Sequence, residues 1–188
     1  MSYIKKILVV IAILGLVFCG VKVYDIVQIF SGSNTGFNNE KAYVYIPTET
    51  DANILKDELF PLLKDEVSFK VVAKKLGYTK AKAGKYTIKK DMSNLEIVRT
   101  LQAKSDLIKV VIPNTNDADV IAKQVSNQIE ANEDDLLVFM NDSLYMSEKK
   151  IKFETLYKSG TYQIPWNTSA EEFRSIIFKS YEKRKKAQ

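Results

Sequence analysis

Four stretches of the chain repeat one pattern of apolar and polar positions. Each is a short apolar strand ending in isoleucine, a polar turn, and then an apolar pair spaced i, i+4. Aligned on Ile46, Ile88, Ile112 and Ile164, the fifth residue on is Asp51, Ser93, Asp117 and Ser169. All four have a short side-chain oxygen that can accept from the orphan N–H groups of a first helical turn. Nine residues on stand Leu55, Ile97, Ile121 and Phe173, and thirteen on stand Leu59, Leu101, Val125 and Ile177. Residues four apart share a helix face, so each copy predicts a strand–turn–helix unit with one stripe turned to a shared core. Thr161–Ile177 is the clearest copy.

Around these units the pattern predicts the remaining elements. Ala42–Ile46 reads as a strand, and Thr50 or Asp51 as the start of a helix that Pro61 disturbs at about Phe60. Ser68 is expected to cap a helix with Phe69, Val72, Ala73 and Leu76 on one stripe and Gly77 as its stop. Lys85–Ile88 is a strand, followed by a helix from Met92 or Ser93 to Leu101. Leu107–Ile112 is a strongly apolar strand, and Asp117 opens a helix to about Glu130. Glu133–Met140 is a further helix, Ser147–Lys152 is lysine-rich and exposed, and the last helix runs from Ser169 to about Tyr181. That helix is expected to leave Phe173, Ile176 and Ile177 partly exposed, and the carboxy-terminal half to be less stable than Ala42–Lys104.

At the amino terminus, Lys5 and Lys6 precede an uncharged run from Ile7 to Val21. Fifteen helical residues cover about 22 Å, short of the roughly 30 Å hydrocarbon core. Snorkelling lysines at Lys6 and Lys22 and the Val23–Tyr24 pair extend it to a single spanning anchor. No A-x-A-like cleavage site follows, and Phe18 stands where a lipoprotein signal would need a small residue before Cys19. The positive flank places the amino terminus in the cytoplasm and the rest outside. Ser31–Asn39 is polar and glycine-containing, the composition of a linker.

Composition narrows the chemistry. The 188 residues carry 28 Lys plus Arg against 23 Asp plus Glu, a net charge of +5, which suits either solvated lysines on exposed faces or an anionic partner such as a membrane surface, a cell-wall polymer or nucleic acid. There is no histidine, so histidine triads, HExxH zinc sites and imidazole relays are excluded. The single cysteine permits no internal disulfide. No phosphate-binding glycine loop or GxSxG elbow occurs. Catalysis would have to use carboxylates, lysine, tyrosine or hydroxyls.

The segment Gly160-Thr161-Tyr162, then Trp166-Asn167-Thr168-Ser169-Ala170-Glu171-Glu172-Phe173, resembles the Pro-[Asn/Asp]-Thr-Tyr…Trp-Asn-Thr-Ser-Ala-Glu segment of MltG/YceG-like endolytic murein transglycosylases, especially the Bacteroidetes type. Tyr45-Ile46-Pro47-Thr48, Gly77-Tyr78, Gly84-Lys85-Tyr86-Thr87-Ile88 and Met92-Ser93-Asn94-x-Glu96-Ile97-Val98 are similar to that family too. The order of strand, two helices, strand resembles the βααβ arrangement of LysM-like glycan-binding modules. The resemblance implies an α+β chain. It would have a cytoplasmic tip and transmembrane anchor over 1–30, a linker over 31–41 and a LysM-like module over 42–104. The amino-terminal part of a YceG-like α/β domain of strand–turn–helix units would follow over 105–188.

It also implies a reaction, cleavage between N-acetylmuramic acid and N-acetylglucosamine to leave a 1,6-anhydro end, which terminates glycan elongation. One carboxylic acid protonates the glycosidic oxygen, and its conjugate base then takes the proton of the sugar's C6 hydroxyl. No metal or organic cofactor is implied. The expected partners are peptidoglycan glycan strands, the inner membrane and cell-wall synthesis proteins, not nucleic acid. Two departures stand out. Ser159-Gly160 replaces the Pro-Asn or Pro-Asp of the family, and the Ala-Ser-Ile-[Val/Ile]-Glu-Lys-Glu segment that holds the family's catalytic glutamate does not occur. The chain is therefore expected to be truncated and inactive alone, or a non-catalytic peptidoglycan-binding or scaffold homologue. Such an acid must sit on an apolar wall to stay protonated, and Glu154, flanked by apolar and aromatic residues in Phe153-Glu154-Thr155-Leu156-Tyr157, is the best local candidate. Glu171 and Glu172 are expected to complement the helix dipole. Tyr86, Tyr162, Trp166 and Asn167 are the glycan-binding candidates, and Tyr43, Tyr45 and Tyr78 are either packed aromatics or walls of a shallow sugar groove.

Overall fold

The computed structural model describes residues 3–49 and 53–186, so the expected cap at Thr50 or Asp51 lies outside the described residues. The side chains of Lys5 and Lys6 lie outside them too. The fold is mixed α and β: the described residues form four strands in two two-stranded sheets, with helices between them. Backbone contacts divide it into two units. The first holds Met1–Ala42, Leu55–Ala81 and Thr87–Ala103, and the second holds Tyr43–Ile54, Lys82–Tyr86 and Lys104–Gln188.

In the first unit, helix α1 (Tyr3–Ser31) runs past the charges at Lys22 and Asp25. Its apolar part, Ile7–Ser31, has 25 residues, and the most apolar window within it reaches a mean hydropathy of 2.6. At 1.5 Å per residue that is about 38 Å, long and apolar enough to cross a membrane without help from snorkelling. None of its most apolar window is buried in the protein. The last turn of α1 lies against α3 (Glu66–Lys75) and α4 (Asn94–Gln102). Leu59, Phe69, Val72, Ile88, Ile97, Val98 and Leu101 are buried in this unit. Before α3 the chain forms α2 (Ile54–Glu58) and a 3₁₀ turn over Phe60–Leu62 that takes Pro61 at its start.

Capping explains where these helices begin. Ser93 accepts from the Glu96 amide at 3.3 Å, while Glu96 accepts from the Ser93 amide at 2.8 Å, a reciprocal capping box. The cap of α3 is Asp65 rather than Ser68: its carboxylate accepts from the amides of Val67 and Ser68. Ser68 lies inside the first turn, where its hydroxyl donates back to the Asp65 carbonyl at 3.0 Å. Gly77, at φ +67°, ends α3 as expected.

The polar stretch after α1 is held by hydrogen bonds along the middle of its length. Asn34, 4% exposed, donates to the Asp65 carbonyl (2.7 Å) and the Asn94 Oδ1 (2.6 Å), and accepts from the Asp65 amide (2.8 Å). Asn94, 2% exposed, donates to the Ile29 carbonyl of α1 (2.8 Å) and to the Ser68 hydroxyl (3.0 Å). Backbone bonds from Asn34 to Met92 and from Gly36 to Leu62 extend the lattice. Buried amide side chains persist only where both ends are satisfied, and these are.

The second unit is built on β3 (Leu107–Ile112) and β4 (Gly160–Pro165), antiparallel from Leu107 opposite Pro165 to Ile112 opposite Gly160. Its core combines Val110, Ile112 and Ile164 with the stripes of α5 (Ala118–Ser126), α6 (Glu133–Met140) and α9 (Ala170–Lys186). Phe173 and Ile177 of α9 are fully buried, contrary to the exposure expected of them, because α6 and α8 (Phe153–Leu156) cover that face; Ile176 is half-buried. Ser147–Lys152 is exposed as expected apart from the buried Ile151, and its first residues end a helix, α7 (Ser143–Lys149), capped by Asp142 at the Tyr145 amide (2.9 Å). Asp142 also accepts from Arg174 at 2.7 Å, and the guanidinium lies 4.0 Å over the Tyr145 ring.

Candidate functional site

Strands β1 (Lys41–Ile46) and β2 (Gly84–Lys89) pair in the other sheet. Side chains alternate between faces along a strand. On β1, Val44 and Ile46 therefore point inward while Tyr43 and Tyr45 point out; on β2, Gly84, Tyr86 and Ile88 point inward while Lys85 and Thr87 point out. In the second unit this outer face carries an aromatic ledge. Tyr45 meets Trp166 edge to face, with centroids 5.0 Å apart and planes at 66°. The Lys85 ammonium stands 3.8 Å above the Tyr43 ring and 5.6 Å from that of Tyr45. Tyr43 is 39% exposed and Tyr45, Lys85 and Trp166 are half-buried, so the rings keep accessible surface.

The turn between β4 and α9 positions Trp166 and Asn167. The buried Thr168 hydroxyl donates to the Pro165 carbonyl at 2.6 Å and closes the turn. Ser169 and Glu172 then form a second capping box, with Glu172 accepting from the Ser169 amide at 3.0 Å and Ser169 accepting from the Glu172 amide at 3.2 Å. The Trp166 carbonyl accepts from the Glu130 amide at 2.8 Å. The Glu130 carboxylate in turn binds the Thr48 amide and hydroxyl, both at 2.6 Å, and so fixes the chain leaving β1.

Asn167 lines a depression of about 430 Å³ with Ala83, Ser105, Thr168, Glu172 and Lys179. Tyr162 lines another, of about 350 Å³, with Gln163, Ser180 and Lys183. The Tyr162 hydroxyl donates to the Lys158 carbonyl at 2.7 Å and accepts from Arg184 at 3.3 Å. Tyr86 is 2% exposed and donates to the Lys82 carbonyl at 3.1 Å, so its ring faces are occupied by packing. Burial, and then the charge of Asp106, pushes its phenol above the ordinary range. Glu154 lies on α8, exposed to solvent, and lines neither depression. The structure thus brings Trp166 together with Tyr45 and Lys85, and keeps Tyr86 in the packed interior. Sequence reasoning passed over Lys85 and Glu130. The period of two in Gly-Lys-Tyr-Thr-Ile was enough to put Lys85 on the face opposite Tyr86; nothing local marked Glu130.

Among the described residues every aspartate and glutamate is exposed or half-buried. Three are held below the ordinary carboxylate range: Asp65 by backbone hydrogen bonding at Ser68, Glu96 by the Ser93 amide, and Asp142 by the Tyr145 amide and then Arg174. None has the buried, apolar surroundings that keep a general acid protonated at neutral pH. The described residues include no cluster of three or more potential metal ligands.

Compared with known families, residues 44–188 match the YceG-like family. The chain belongs to the YceG-like family. A solved YceG-like relative is the crystal structure described as that of a yceG-like protein from Listeria monocytogenes, 23% identical, covering 78% of this chain, with a TM-score of 0.37. The chain spans 56% of that protein. No curated protein matches this YceG-like chain.

Proposed function

We propose that this protein is a membrane-anchored MltG-type member of the YceG-like family that acts on peptidoglycan. In this reading α1 is a single-pass anchor in the plasma membrane with its amino terminus in the cytoplasm, and the rest works on the outer side. Residues 42–104 serve as a LysM-like module and residues 105–188 as part of a YceG-like domain. Glycan strands are the ligand and cell-wall synthesis proteins the neighbours. The reaction of the type is non-hydrolytic cleavage between N-acetylmuramic acid and N-acetylglucosamine, leaving 1,6-anhydro ends that terminate strand elongation.

The observation that carries the reading is the family match over 44–188, to which the Tyr43–Tyr45–Trp166 ledge adds a surface suited to sugars. Pyranose rings present C–H faces that pack on aromatic faces, and ring edges with polar tips suit a wet, shallow site. Glycan holding, rather than bond cleavage, is the role supported for these residues. Glu154 is solvated, and the Glu130 carboxylate beside the ledge is bound to the Thr48 amide and hydroxyl. That favours the binding homologue as the second reading.

The full chain in detergent micelles, incubated with purified sacculi and pelleted, is expected to co-sediment; its absence from the pellet refutes the reading. Mass spectrometry of the same reaction is expected to find no new 1,6-anhydro ends. Their appearance, and their loss on Glu154→Gln, would make Glu154 the acid and overturn the assignment of a holding role.

A further inference from the structure

Resting on the glycan reading above, we propose that Lys85 makes the aromatic ledge selective for acidic over neutral amino-sugar glycan by pairing with a carboxylate on the strand. Tyr43 and Tyr45 stand two residues apart on one face of β1, and Lys85 projects from the same face of β2 with its ammonium 3.8 Å over the Tyr43 ring. Stacking on the ring orders the lysine stem and leaves the ammonium at the height of a bound sugar. The planes of Tyr45 and Trp166 differ by 66°, so the two rings cannot both lie flat on one sugar. The ledge therefore addresses more than one sugar residue, with the cation over the Tyr43 ring and 5.6 Å from that of Tyr45.

The surrounding charges agree with this. Glu130 is tied to the Thr48 amide and hydroxyl rather than offered to the ledge. The Asp106 and Lys85 backbones pair in an isolated antiparallel bridge, the Asp106 amide donating to the Lys85 carbonyl at 2.8 Å, so Asp106 is an acidic neighbour that keeps the selectivity moderate. A glycan strand can supply the carboxylate in two ways: from the lactyl group of a muramic acid that has lost its peptide, or from the stem peptide itself. Both present the same chemistry to Lys85.

The test uses the full chain in detergent micelles and three probes: chitotetraose, amidase-denuded glycan strands and peptide-bearing glycan strands. Binding is read by microscale thermophoresis. Wild type is expected to hold an acidic probe about fivefold more tightly than chitotetraose, the upper range for a solvent-exposed ion pair. Lys85→Met keeps the stem and should erase that preference while leaving chitotetraose affinity within about twofold. Tyr43→Thr preserves strand propensity and should weaken all three probes. Whichever acidic probe loses affinity in Lys85→Met identifies the source of the carboxylate. If wild type shows no preference, or Lys85→Met keeps it, this inference is overturned while the glycan reading stands. If wild type binds none of the probes, both fall. Lys85→Met removes only a charged tip, so it remains decisive even if Tyr43→Thr lowers the melting temperature.

Discussion

Asn94→Ala is expected to loosen the segment that follows α1 while leaving the second unit unchanged. Asn94 makes three hydrogen bonds at 2.6, 2.8 and 3.0 Å, to Asn34, the Ile29 carbonyl and the Ser68 hydroxyl, and is 2% exposed. Each buried hydrogen bond contributes about 1 kcal/mol net, so the substitution removes about 3 kcal/mol from the local closed state. At about 1.4 kcal/mol per factor of ten, that is on the order of 100-fold in the opening equilibrium. The amides of Asn34, Gly36, Lys64 and Asp65 are bonded within this lattice. Measured by hydrogen exchange of the full chain in micelles, they should exchange on the order of 100-fold faster in the variant. Amides of β3, such as Val110, serve as the internal reference. Asn94→Asp keeps the shape and the acceptor for Asn34 but turns a carboxylate toward two acceptor oxygens, so it too should accelerate exchange tens-fold by the same reasoning. Acceleration below about fivefold in both variants would mean that these amides do not hold the segment that follows α1.

Three further substitutions probe the second unit, where the single tryptophan, Trp166, reports unfolding by fluorescence. Gly84→Ala should destabilise it by about 2–4 kcal/mol, because φ is +138° there and a Cβ would overlap Ser105, whose Oγ would stand only 2.7 Å away; an unchanged denaturation midpoint would count against that packing. Tyr157→Phe should stabilise by about 1 kcal/mol, since the buried Tyr157 hydroxyl has no hydrogen-bond partner among the described residues; a loss of stability would mean that the hydroxyl is satisfied. Asp142 has its pKa lowered below 3.8 by the Tyr145 amide and Arg174, so its contribution is complete above about pH 4 and is lost as pH falls through the depressed value. Asp142→Asn should therefore lower stability at neutral pH and flatten the acid limb of the curve below pH ~4; an unaltered acid limb would refute the assignment.

What the sequence made legible follows from how local each cause is. Ser93 and Asp117 cap their helices as their spacing from Ile88 and Ile112 predicts, and Ser169 does the same after Ile164. The stripe residues at the ninth and thirteenth positions are fully buried in those three copies. These are effects within one turn of helix, and a pattern of residue types suffices to state them. Asp65 caps α3 where Ser68 was expected, because both residues are good caps three positions apart and the choice depends on the bonds made at Asn34. Helix α7 was missed because it lacks an i, i+4 apolar stripe. It is fixed by its Asp142 cap and by Arg174, 32 residues away. The β3–β4 register pairs residues some fifty positions apart, and no local signal carries it.

The neck after α1 was the hardest case, and its chemistry explains why. Ser-Gly-Ser-Asn-Thr-Gly has the composition of a flexible connection, since small polar residues bury little apolar surface to offset the entropy of ordering. An asparagine amide has two donors and a two-lone-pair acceptor, however, and can mimic a backbone pair when a second strand of polar groups faces it. Asn34 does this with the Asp65 backbone, accepting from its N–H and donating to its C=O, while its remaining N–H goes to Asn94. Asn94 then reaches the Ile29 carbonyl, one of the helix-end acceptors that α1 cannot satisfy internally. Composition counts such residues as solvent-loving; only their partners decide whether they are a tether or a joint. In this chain the apolar helix is coupled to the first unit through amides, so a tilt of α1 in a bilayer would be transmitted to α3 and α4 rather than absorbed at Gly32 and Gly36.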